Sequence, residues 1–289
     1  MSDWLSINPD VFAKLGGSEL QSVLLEVLRQ RARARTPAEV LAQYRRDRFV
    51  SPAQTDQRES VAIDSHLLAA ASGFDAIELS PVTPLGTSST VGLSDQNRVL
   101  SALRATEVVS DPTNVLALEC ASRMRVSAGP FHFATSQRVV RAQPAPKLPG
   151  YAQHFRIFVL ASGGVETKDH AFTVDTLVQH ITTMHAALDR LEQHGYTFGA
   201  RRLDVLATAE RKTLGERIAT RCGGTVKTLD HAYYSGGLRY MLWVTSPDGK
   251  EIPLCDGGAF DWLTKLAANR RAVFIGSGMG AQLVAVVFK

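Results

Sequence analysis

The sequence predicts a mixed α+β fold, dominated by antiparallel strands with long helices between them. Three stretches carry that reading. Leu177, Ile181, Met184, Leu188 and Leu191 fall on one face of a helix running from about Val174 to His194. RLDVLAT at 202 to 208 reads as a strand. The segment from Thr225 to Pro253 folds back at Pro247, Asp248 and Gly249 as a strand hairpin. With 289 residues, 45% hydrophobic and 21% charged, the chain can build a large core. Neither a disordered nor a membrane-embedded class fits that composition.

From the start of the chain, Val11, Leu15, Leu20, Val23, Leu24, Val27 and Leu28 lie at helical spacing, interrupted by Gly16 and Gly17. Two helical pieces are expected there. Thr36, Pro37 and Glu39 form an N-cap, a first-turn proline and a capping box, opening a helix through about Tyr44. Polar residues from Ser51 to Ser60 read as a linker, so residues 1–58 should form a helical segment ahead of a core at 59–289. A helix from Glu59 through Ala71 stops at Gly73, and FDAIELSPVTPLGTSS follows as a strand ending in a proline-rich turn. The stretch from Thr83 to Asn114 is polar; 116 to 124 reads as helix, and two strands flank the loop from Arg141 to Gly150. Glu210 to Arg221 reads as a helix, and no internal repeat is evident.

Several function classes are excluded by residue usage. Three cysteines, Cys120, Cys222 and Cys255, contain no C-x-x-C pair, which argues against a disulfide framework or a thiolate zinc site and for a reducing, cytoplasmic setting. The first residues do not read as a signal peptide, and no apolar run reaches the roughly 18 residues of a membrane span. The net charge of +4 permits a phosphate-bearing partner without demanding one. Arg29, Arg31, Arg33, Arg35, Arg45, Arg46 and Arg48 read as a solvated helix face, because no aromatic residues are interleaved to stack on bases. His180 and His185, His132 and His154 form no metal pair with a carboxylate, so no metal site is expected. GGTVK at 223 to 227 lacks P-loop spacing, and GSGMGAQ at 276 to 282 leaves no room before Lys289 for a dinucleotide-binding unit.

The order of the remaining motifs is more informative than any one of them. GFDAIELSP at 73 to 81 has the pattern G-F-x-x-I-x-x-P, and FHFATSQRVVRAQPAPKLPGYAQHFRIF is a strand ending in arginine, a loop and a returning strand. LDHAYYSGGLRY at 229 to 240, DGGAFDWL at 256 to 263 and GSGMGAQL follow. This series resembles the catalytic core of class II aminoacyl-tRNA synthetases, in particular histidyl-tRNA synthetases, over about residues 59 to 289. The resemblance implies an antiparallel sheet flanked by helices, a paralogue of the catalytic core without an anticodon-binding domain, and a homodimer through Gly73 to Pro81.

What the resemblance implies about chemistry is mixed. Arg138 stands at the second-motif arginine, expected to stabilise charge on an α-phosphate, its alternative being a strand-end arginine paired with a carboxylate. Arg141 matches the fourth position of R-x-E-R and would meet outer phosphates. Val140 replaces the glutamate of that pattern and Leu283 the third-motif arginine, which weakens the case for ATP and magnesium; Arg270 and Arg271 are the substitutes on offer. Tyr233, Tyr234 and Gly236 keep the Y-Y-x-G shape, and Gly257 and Gly258 would bare the backbone to a substrate. Lys227 is the nearest cation to the missing arginine before L-D, Thr113 replaces the amine-binding glutamate, and the imidazole-reading glutamine aligns near Ile157. Residues 94 to 114, with Asp95, Asn97, Arg104, Thr106, Glu107, Asp111 and Asn114, read equally as a rebuilt polar site or a solvated loop with a helix cap. The expected function is binding of a small amino acid or related carboxylate with its activation or transfer, possible through an adenylate. The alternative is a non-catalytic regulatory subunit like that of ATP phosphoribosyltransferase. Direct action on tRNA rests only on the basic N-terminal face.

Overall fold

The computed structural model describes residues 8–127, 129–146 and 148–289. Three helices come first: α1 (Pro9–Ala13), α2 (Gly17–Arg33) and α3 (Pro37–Arg46). Thr36 and Glu39 close the expected capping box on α3, with Glu39 accepting from the Thr36 N–H at 2.7 Å. No residue of these three helices is buried. The next helix, α4 (Gln57–Ala70), is capped by Asp56 and buries Ile63, Asp64 and Leu67.

The core is an eight-stranded sheet. Its strands are β1 (Asp75–Ala76), β5 (Phe131–Val140), β6 (His154–Val165), β7 (Arg201–Ala207), β8 (Thr225–Thr228), β9 (Leu238–Thr245), β10 (Glu251–Phe260) and β11 (Ala272–Met279). They lie in the order β1-β5-β6-β11-β10-β9-β7-β8. Six central strands are antiparallel, and the short edges β1 and β8 pair parallel to β5 and β7. The turn at 247 to 249 joins β9 to β10 as the sequence predicts. Thr225–Thr228 departs from the predicted hairpin: it pairs with β7 because α7 (Lys212–Cys222) carries the chain back across the sheet as a parallel crossover. Ahead of β1's expected length, the proline-rich stretch ends pairing after Ala76, and the polar stretch folds into a second sheet of β2 (Val82–Pro84), β3 (Ser101–Ala102) and β4 (Thr106–Val108).

Strand alternation divides the large sheet into two faces. On the back, α4, α6 (Ala171–Glu192), α7 and α9 (Ala281–Val287) cover the strands. Phe158, Leu160, Leu242 and Val244 meet Met184, Leu188 and Val284, all fully buried. On the front, α5 (Pro112–Arg123) and α8 (Trp262–Leu266) cover only part of the sheet, over Phe133, Val159, Phe260 and Phe274. Helix α5 starts earlier than predicted because Pro112 takes its first turn and Asp111 caps it, accepting from the Thr113 N–H at 3.0 Å. The front of β9, β10 and the β5–β6 loop stays open.

Candidate functional site

The open part of the front face holds two adjoining hollows of about 380 Å³ each. The first is charged. Asp111 reaches it from the start of α5, and its Oδ2 accepts from the Tyr233 hydroxyl at 3.3 Å, with the Arg141 guanidinium 4.0 Å away. Arg141 is fixed by donating from Nε to the Ser110 carbonyl at 3.1 Å and by lying over the Phe155 ring at 5.1 Å. Across the hollow, Asp256 of β10 accepts from the Tyr234 hydroxyl at 2.6 Å and from Arg239 Nη2 at 2.9 Å. Arg239 itself lies 4.8 Å over the Tyr234 ring, and its buried Nε has no partner. Arg98 and His231 complete the rim.

Two carboxylates and three guanidinium groups therefore face one small space. Burial, with Asp111 and Asp256 close by, pushes both tyrosine hydroxyls upward, so they stay protonated donors. Each aspartate keeps oxygen lone pairs for a further donor, and the arginines keep N–H groups for a further acceptor. Such a lining complements a ligand carrying an ammonium and a carboxylate, the charge pattern of a free amino acid.

The second hollow lies under the β5–β6 loop and is less polar. Phe155, Ile157, Leu254 and Leu283 form its walls, with Gly278 and Gly280 on its floor, and it shares Arg141, Gln143 and Asp256 with the first. Leu283 packs so closely on the loop that a Cβ at Gly150, where φ is +81°, would sit 2.7 Å from its Cδ2. These residues do not fit a magnesium triphosphate. Of the two arginines that line it, Arg156 is paired with Asp64 at 2.6 Å, which leaves Arg141 for a phosphate, and Leu283 closes the end where the resemblance expects an arginine.

The structure brings some predicted site residues together and separates others. Asp111, Arg141, Tyr233 and Tyr234 share the charged hollow, and Thr113 lies behind Asp111, its hydroxyl 2.7 Å from Oδ1. Arg138 does not join them. It is three residues before Arg141, so the pleat turns it to the back, opposite Arg156 in the strand register and beside α4. There its Nη1 donates to His154 Nδ1 at 3.0 Å and to Gln282 Oε1 at 3.3 Å, while Arg156 takes Asp64 at 2.6 Å. His154 Nε2 donates to the Ser51 carbonyl at 2.7 Å, which leaves Nδ1 as the acceptor. Burial and the like charge of Arg156 pull the Arg138 pKa down. The strand-end guanidinium that reaches the cleft is Arg141, and Gln143 two residues later lines it as well.

The glycines are displaced in a similar way. Gly257 faces the back, where a Cβ would strike the Ser277 hydroxyl and the Tyr240 ring. Gly258 faces the front but is covered by Tyr234, and Gly236 abuts the Ala259 backbone. All three serve close packing instead of exposing backbone to a ligand. Lys227 is occupied by Asp204 at 2.9 Å, and Arg271 donates to the Glu166 carbonyl at 2.8 Å on a loop away from the cleft. In the 94 to 114 stretch, Glu107 is fully buried and accepts from the Gly86 and Ser88 N–H groups at 2.8 Å, holding the small sheet together. Of that stretch only Ser94, Arg98, Val99, Ser110 and Asp111 line the hollow.

Sequence reasoning missed Arg239 and Asp256. Both stand inside motifs already singled out, LDHAYYSGGLRY and DGGAFDWL. The usable signal is the β9–β10 register: Arg239 pairs with Gly258, so Arg239 and Asp256 share the front face.

No family model and no curated protein matches the sequence. Solved structures do resemble the fold. An ATP phosphoribosyltransferase regulatory subunit/histidyl-tRNA synthetase from Bacillus halodurans C aligns over 81% of this chain and 82% of its own, with a TM-score of 0.60 and 16% identity. A histidine–tRNA ligase subunit from Alicyclobacillus acidocaldarius aligns over 81% of this chain and 94% of its own (TM-score 0.59, 12% identity). For S. aureus histidyl-tRNA synthetase the shares are 81% and 68% (TM-score 0.58, 13% identity). At these identities the likeness establishes architecture and not activity. The chain has the fold shared by class II aminoacyl-tRNA synthetases, histidyl-tRNA synthetases among them.

Proposed function

We propose that this protein binds a small amino acid or related carboxylate in the charged front hollow. Asp256 and Asp111 would receive the ammonium, and Arg239, Arg141 and Arg98 the carboxylate. The observation that carries this reading is the pairing of opposite charges, Asp256 with Arg239 and Asp111 with Arg141, across one cavity of amino-acid size. The binding-protein role, comparable in kind to a regulatory subunit of the sort named for the Bacillus halodurans structure, is favoured over adenylation. Arg138 faces away from the cleft and Leu283 closes the phosphate end with a methyl group, so of the arginines the resemblance assigns to phosphates only Arg141 is left to meet negative charge developing there.

A second reading has its own support. The less polar hollow adjoins the charged one, with Arg141, Gln143 and Asp256 lining both, as a transferase needs if the carboxylate arrives already activated and its leaving group lies next door. Isothermal titration of the full chain against the standard amino acids and their deaminated analogues tests the primary reading. At least one amino acid should bind with a Kd below about 1 mM, and removing its amine or its carboxylate should abolish the heat. Absence of binding throughout the panel refutes it. Hydroxylamine trapping of acyl groups from amino-acyl thioesters or adenylates tests the second.

A further inference from the structure

Helices α1 to α3 contradict the rule that a stable helix buries one face. Helix α2 has 17 residues and buries none of them, although helices in proteins draw most of their stability from packing an apolar face. Yet Leu20, Val23, Leu24, Val27 and Leu28 form a continuous stripe along it at helical spacing, with Val27 and Leu28 48% and 51% exposed. Its hold on the core includes one polar contact, the Arg104 N–H donating to Gln21 Oε1 at 2.5 Å. Beyond it, Ala32, Pro37, Val40, Leu41 and Tyr44 line an open apolar depression at the α2–α3 corner.

The charges on α2 say what covers the stripe. Glu19, Glu26 and Arg33 recur every seven residues along one flank, with Glu19 in the first turn, Glu26 just past the middle and Arg29, Arg31 and Arg33 in the second half. Glu26 is neutralised within its own chain by Arg29 and also accepts from Gln30 Nε2 at 2.8 Å. A parallel copy would place Glu19 against Glu19 and Arg33 against Arg33. An antiparallel copy places Glu19 of each chain against Arg33 of the other, Leu24 of each against Leu28 of the other and Val27 of each against Leu25 of the other, sets the two Glu26 residues at the axis, and opposes the two helix dipoles. It also brings Leu20 of each copy to the apolar corner of the other. We infer that α2 is a self-association helix, pairing antiparallel with α2 of a second copy of this chain about a two-fold axis. This interface is separate from the Gly73 to Pro81 edge.

Sedimentation equilibrium on the full chain tests this, with circular dichroism confirming that each variant keeps its fold. The wild type should associate, and Leu24→Asp with Val27→Asp should weaken that association on the order of 100-fold, since four apolar groups per pair become charged. Glu19→Arg alone and Arg33→Glu alone should each weaken it by about three- to tenfold. Mixing those two variants should restore it, because each new charge then meets its opposite. The inference is overturned if the wild type stays a single chain at every concentration, which would leave the stripe to an unrelated partner. It is equally overturned if the two aspartates change nothing, or if the mixture associates no better than either variant alone.

Discussion

Two polar clusters on opposite faces of the sheet are built in opposite ways. On the back, His180 is fully buried between α6 and the strands, yet Ser162 lies 2.8 Å from its Nε2 and Ser277 2.9 Å from its Nδ1. His132 extends the chain from Ser162 at 2.8 Å. Every ring nitrogen in that chain's centre is used, and nothing remains for a ligand. On the front, Asp256, Arg239, Asp111 and Arg141 are paired but only partly buried, around a cavity that no side chain fills. Buried polar groups that satisfy each other hold a fold together, whereas charged groups round an open cavity keep bonding capacity to spare, and on that contrast the proposed binding site rests.

The largest effect should come from cutting into the back. Leu188→Ala removes a fully buried side chain from the α6 contact and should lower the unfolding free energy by about 2–5 kcal/mol in a urea titration, with ligand affinity intact. A loss below about 1 kcal/mol would mean α6 is not packed as described. Next is affinity on the front. Asp256→Asn or Arg239→Gln removes a charged contact and should weaken ligand binding by about 10- to 100-fold at nearly unchanged stability. Equal losses of stability would make the pair a structural bridge.

A pH experiment sharpens the same comparison. Burial depresses the His180 pKa to about 3, so between that value and the ordinary value of 6.5 the unfolded chain binds a proton that the folded chain refuses. Stability should therefore fall as pH drops below 6.5, continue falling towards 3, and be constant with respect to this group above 6.5. His180→Phe should reduce that slope while costing about 1–3 kcal/mol at neutral pH, because Ser277 loses its His180 bond and Ser162 one of its two histidine partners. An unchanged slope would place the titration elsewhere. The smallest effect is expected at Arg138: Arg138→Gln should shift stability by about 1 kcal/mol or less through His154 and Gln282.

Much of the fold is legible in the residues. Helix α6, the capping box of α3 and the turn at 247 to 249 rest on local periodicity and turn chemistry, which the surrounding structure leaves intact. The parallel placement of β8 was not legible, since a strand's partner is chosen by the crossover and not by its own composition. At the site, Asp111, Tyr233, Tyr234 and Arg141 could be found as residue types within motifs. Facing could not. Arg138 and Arg141 are three apart, so the pleat must send them to opposite faces, and a one-residue choice of strand phase decides which one meets the cleft. Gly257 was misread for the same reason.

The face assignment is tested most directly by titrating one amino-acid ligand found in the panel into Arg141→Ala and Arg138→Ala side by side. The account predicts that Arg141→Ala weakens binding by about tenfold or more while Arg138→Ala changes it less than about twofold. Loss of affinity in Arg138→Ala with Arg141→Ala unaffected would contradict it and return the binding site to the other side of the sheet.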